Sequence, residues 1–98
     1  MVSHTDILRQ LEEHRIKFQQ LGVLKLGLFG SAVRGQATDK SDLDFVVDFE
    51  KKSFDAYMDL KFFLEDTFGR SVDLVISDTI KPRLKEAILK ESIYVQGL

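Results

Sequence analysis

The sequence predicts a small α/β domain, a mixed sheet of three to four strands with helices packed against it. Three observations predict it. Val23–Phe29 and Val72–Ile76 are largely apolar runs of strand length, bounded by turn residues. Between them, residues 42–49 alternate in character: Leu43, Phe45, Val47 and Phe49 share one face, and Asp42, Asp44, Val46 and Asp48 share the other. Segments of helical period separate and flank these runs, so the order is helix, strand, turn, strand, helix, strand, helix, strand.

A chain of 98 residues suits one domain, Met1–Leu98, and not two. The leading helix opens at Ser3-His4-Thr5-Asp6, a capping-box pattern with Asp in place of the stronger Glu or Gln. Ile7, Leu11, Phe18 and Leu21 form its apolar face, and Gly22 stops it. After the first strand, residues 31–34 form one short helical turn and residues 36–41 a loop. The charged turn 50–53 leads into Phe54–Phe68, a helix whose aromatic stripe Phe54, Tyr57, Met58, Phe62, with Leu64, is expected in the core. Gly69 ends it. Ser77–Thr79 is a turn, Pro82 starts the next helix, and Ile80, Leu84, Ala87 and Ile88 give that helix its apolar side. Ile93, Tyr94 and Val95 add a short last strand.

Composition excludes several functions. The chain has no cysteine, which removes disulfides, thiolate zinc sites and cysteine nucleophiles. His4 and His14 are too few and too far apart for a histidine metal site. No apolar stretch approaches the ~20 residues of a membrane span, and no basic-then-apolar leader opens the chain, so a cytoplasmic protein without a membrane partner is expected. A net charge of −2 without a basic cluster argues against nucleic acid as a direct ligand. It is compatible with a nucleotide that arrives with a metal.

Three features carry chemistry. Gly30-Ser31 follows a strand directly. Glycine there lets the backbone approach a ligand closely, and the turn that follows would aim N–H groups at a phosphate. Asp42 and Asp44 repel each other on one face of a strand, and a cation between them relieves that repulsion; an all-oxygen site suits Mg²⁺ or Mn²⁺. Asp73 interrupts the apolar run Val72–Ile76, where an unpaired carboxylate is costly to bury. It either reaches water at a sheet edge or joins the other two acids.

Together these read Gly-Ser-x10-Asp-x-Asp with a later Asp flanked by apolar residues. The fuller string Gly30-Ser31-Ala32-Val33-Arg34-Gly35 … Ser41-Asp42-Leu43-Asp44 resembles the Gly-Ser-x-x-Arg-Gly … Ser-Asp-hydrophobic-Asp pattern of the minimal nucleotidyltransferase (MNT) family. That family lies in the DNA polymerase beta-like nucleotidyltransferase superfamily. Some of its members carry a second arginine where this chain has Ala32. The resemblance implies attack on the α-phosphate of a nucleotide triphosphate such as ATP, with pyrophosphate leaving. It implies two Mg²⁺ ions, or Mn²⁺, roughly 3.5–4 Å apart. Asp42 and Asp44 would bridge both ions; Asp73 would complete one shell and help take the proton of the attacking hydroxyl. Gly30 and Ser31 would hold the triphosphate. Arg34 would touch a phosphate or else remain a solvated surface arginine.

Minimal members of the family commonly act beside a HEPN-domain ribonuclease toxin. The resemblance therefore implies an antitoxin that transfers AMP to a tyrosine of that toxin, and it is compatible with a hetero-oligomer of the two. Two alternatives stand beside this reading. One is an antitoxin that neutralises its HEPN partner by contact without catalysis. The other is nucleotidyl transfer to tRNA or a small molecule.

Overall fold

The computed structural model describes residues 3–98. Four helices and four strands follow in the order α1 (His4–Glu13), α2 (Arg15–Gln20), β1 (Val23–Phe29), β2 (Leu43–Phe49), α3 (Phe54–Phe68), β3 (Val72–Ile76), α4 (Pro82–Glu91) and β4 (Ile93–Tyr94). The strands form one sheet in the order β3-β2-β1-β4. β1 runs antiparallel to β2 and β4, and β2 runs parallel to β3. The predicted mixed sheet of four strands is therefore present. A parallel neighbour needs a crossover, and α3 supplies it. Val95 extends the β4 pairing by donating its N–H to the Leu26 carbonyl at 2.8 Å.

The alternation in β2 works as its sequence implies. Leu43, Phe45, Val47 and Phe49 are all buried and join Leu26, Leu28, Val72 and Leu74 in the core. Ile7, Leu11 and Phe18 from α1 and α2 close over it, with Leu60 and Leu64 from α3. Burying a side chain of this size stabilises by roughly 1.5–3 kcal/mol, so this face accounts for most of the fold's driving force.

Four expectations need correction. The leading helix is two helices, broken at His14 (φ −105°, ψ 18°). No Gly or Pro marks the break; the His14 ring sits edge-on to Phe63 with centroids 5.1 Å apart, so packing against α3 selects the bend. Ser3 precedes α1 without making a side-chain cap; Asp6 pairs instead with Arg9 one turn on, at 3.7 Å. In α3, Phe54 and Phe62 are 70% and 58% exposed, not in the core. The buried stripe is rotated to Leu60 and Leu64, with Tyr57, Phe63 and Phe68 packed beside them. The Tyr57 hydroxyl donates to the Leu74 carbonyl at 2.6 Å, a bond available only in this rotation. Finally, α4 has no buried residue; Leu84 and Ala87 face solvent, and Ile80 and Ile88 are half-buried. The turns are as expected: Ser53 caps α3 through Ala56 N–H, and Gly69 ends it in the left-handed conformation.

Candidate active site

β1 ends at Phe29, and the chain turns sharply at Gly30 into a single tight turn, Gly30–Ala32. The N–H groups of Val33 and Arg34 both donate to the Gly30 carbonyl, at 3.1 and 3.2 Å. Gly30 is buried and has φ +79°, a region costly for side-chain-bearing residues. A Cβ at Gly30 would also overlap the carboxylate of Asp44. Glycine is thus required twice, by the turn and by the acid pressed against it. Ser31, the expected hydroxyl donor, follows on this turn and is half-buried.

Strand register sets two of the acids side by side. In the parallel ladder Asp44 pairs with Asp73, and residues in register share a face. Asp42 is the last residue before β2. Asp42 and Asp73 are exposed and Asp44 is half-buried, so the acids form an open rim at the end of the sheet. Burial raises the Asp44 pKa above the ordinary carboxylate value, and repulsion from Asp73 and then Asp42 raises it further; Arg34 acts in the opposite sense. Asp73 thus lies exposed on an edge strand, in register with Asp44.

Among the described residues, no three His, Cys, Asp or Glu side chains are drawn in closely enough to hold a metal as they stand. The chemistry of the donor set nonetheless fits a hard cation. All three groups are carboxylates, and uncompensated negative charge weighs on Asp44. Mg²⁺ is ordinarily held by one or two carboxylates plus waters and substrate phosphates, not by a preformed protein cage.

Two supports lay beyond sequence reading. Arg70 Nη1 donates to the carbonyls of Thr38 and Ser41 at 3.0 and 3.1 Å, fastening the loop that delivers Asp42. Arg34, half-exposed, is not a free surface arginine: it donates to Gln36 Oε1 at 3.0 Å and to Glu91 Oε1 at 2.5 Å. The partners of Arg70 and Glu91 lie 29 to 57 residues away, so no local spacing announces them. A depression along α4, lined by Pro82, Lys85, Glu86, Leu89 and Lys90, touches none of the acids.

Comparison with known proteins identifies the family. A family model for the nucleotidyltransferase domain matches residues 8–95. Protein adenylyltransferase MntA of Thermococcus cleftensis is 36% identical over 97 residues, covering 97% of this chain and 98% of the relative. A solved structure of a proposed minimal nucleotidyltransferase, 36% identical, superposes with a TM-score of 0.77, covering 90% of this chain and 92% of its own. A chain from the complex of a tri-AMPylated Shewanella oneidensis HEPN toxin with an MNT antitoxin shares the fold at a TM-score of 0.64 and 20% identity, covering 93% of this chain and 73% of its own. With more than a third of positions identical to such relatives over nearly its whole length, the chain belongs to the nucleotidyltransferase-domain family, as a minimal nucleotidyltransferase.

Proposed function

We propose that this nucleotidyltransferase is an antitoxin that transfers AMP from ATP to a tyrosine hydroxyl of a HEPN-domain toxin in the cytoplasm, and so neutralises it. The observation that carries the reading is the pairing of Asp44 with Asp73 beside a glycine turn packed on the Asp44 carboxylate. The name of the Thermococcus cleftensis relative, a protein adenylyltransferase, supports protein as the acceptor. The Shewanella complex, in which an MNT antitoxin accompanies an AMPylated HEPN toxin, supports the partner.

In the transfer the phenolic oxygen attacks the α-phosphorus of ATP. The bond from that phosphorus to the oxygen bridging to the β-phosphate breaks, and pyrophosphate leaves. Gly30 and Ser31 cradle the triphosphate, and Arg34 contacts it. Asp73, exposed at the sheet edge, accepts the phenolic proton. Asp42, Asp44 and Asp73 would hold Mg²⁺, or Mn²⁺, which when bound neutralises charge on the phosphoryl oxygens. The site is open, so the partner's surface orients the acceptor, and orientation supplies much of the rate.

Mixing the chain with a HEPN partner, ATP and Mg²⁺ tests this by mass spectrometry. The partner should gain the mass of AMP on tyrosine with the parent chain and gain nothing with Asp42→Ala. Toxin inhibition that persists in Asp42→Ala without any mass change would point to neutralisation by contact. Label appearing on tRNA instead would replace the acceptor.

A further inference from the structure

Glu91, the last residue of α4, has no part in the transfer described above, yet it holds a residue that does. Its carboxylate accepts the 2.5 Å hydrogen bond from Arg34 Nη1, and Gln36 Oε1 accepts from Nε of the same guanidinium at 3.0 Å. The guanidinium is therefore gripped from two sides. Of its five N–H donors, these bonds occupy two. The backbone of Arg34 is itself part of the glycine turn, since its N–H donates to the Gly30 carbonyl.

Position makes this grip matter. Arg34 is tied to the glycine turn through its backbone, and Glu91 reaches its guanidinium from the end of α4, 57 residues on. A long, flexible side chain samples many poses unless partners hold it. Glu91 is less exposed than Arg34, at 26% against 51% of the side chain, and it is rooted in a helix. It is the firmer half of the pair.

We infer that Glu91 is a positioning residue, holding the Arg34 guanidinium at the rim of the glycine turn so that its remaining donors meet the triphosphate. The inference rests on the transfer reading, because it takes the triphosphate as the ligand of Arg34. Gln36 has the same task from the other side.

Calorimetric titration with a non-hydrolysable ATP analogue and Mg²⁺ tests it on the parent chain, Glu91→Ala, Glu91→Gln, Arg34→Ala and the double variant Arg34→Ala/Glu91→Ala. Glu91→Ala should weaken binding about 10-fold, in the range of lost outer-shell partners. Glu91→Gln keeps an acceptor and should lose less. The double variant should bind no more weakly than Arg34→Ala, because Glu91 acts through Arg34. Melting curves identify any variant that loses its fold, and Glu91→Gln then carries the comparison. Unchanged affinity in Glu91→Ala overturns the inference. Tighter binding overturns it too, by making Glu91 a competitor for Arg34, and so do losses that simply add. A parent chain that binds no analogue would sink the transfer reading itself, and this inference with it.

Discussion

Asp44 and Asp48 sit on the same strand and the same face, four residues apart, and the fold treats them in opposite ways. Asp48 accepts a hydrogen bond from the Ser77 hydroxyl, and Ser77 is buried at 6% exposure. Its register partner across the sheet is Lys25. Asp44 has Asp73 as its register partner, Asp42 two residues before it, and a glycine pressed on its carboxylate. An acid that serves structure is given donors. An acid kept among other acids is left short of positive charge, and a bound cation relieves it.

The largest effect that would break the comparison is on activity. Asp44→Asn should lower AMP transfer by about 100- to 1,000-fold, the scale of losing a group that stabilises developing charge. Asp48→Asn should stay within a few-fold of the parent, measured as initial rate under saturating ATP. Equal losses in both would erase the distinction between the two acids.

Stability should respond in the reverse order. Asp48→Ala leaves the buried Ser77 hydroxyl without its acceptor, at a cost of about 1–3 kcal/mol, read from urea unfolding. A change near zero would mean that Ser77 finds another partner and that Asp48 is not structural.

The smallest effect is the most diagnostic. The folded-state pKa of Asp44 is raised, so ionising it costs the folded state more than the unfolded one. That penalty is absent below the ordinary carboxylate pKa, grows as pH rises, and is complete above the raised value. Without metal, Asp44→Asn should therefore melt higher than the parent at neutral pH, and the gain should vanish as pH falls through the acid range. Added Mg²⁺ should raise the parent's melting temperature and leave Asp44→Asn nearly unmoved. Equal Mg²⁺ shifts would count against Asp44 as a ligand.

Strands were the most legible part of this chain. The period of two from Leu43 to Phe49 and the run Val72–Ile76 identify their own faces and ends, because side-chain alternation is a local property. Gly30, Asp42 and Asp44 were legible for the same reason, lying within one short stretch. Helix rotation was less so. Of the expected stripe Phe54, Tyr57, Met58, Phe62 and Leu64, Leu64 is buried and Tyr57 packs on the core, while Phe54 and Phe62 face solvent; the Tyr57 bond to β3 accompanies that rotation. The break at His14 was illegible, since it answers to Phe63 nearly fifty residues on.

Local pattern therefore sufficed for the strands, the glycine turn and the identity of the acids, since each depends on neighbours a few residues away. Three-dimensional packing alone chose the register that sets Asp44 against Asp73, the Arg70 strap on the loop before Asp42, and the Glu91 grip on Arg34. Those contacts join residues separated by 29 to 57 positions. They depend on the burial of the apolar face of β2, because that burial fixes which side chains of the strand must stand on the opposite face.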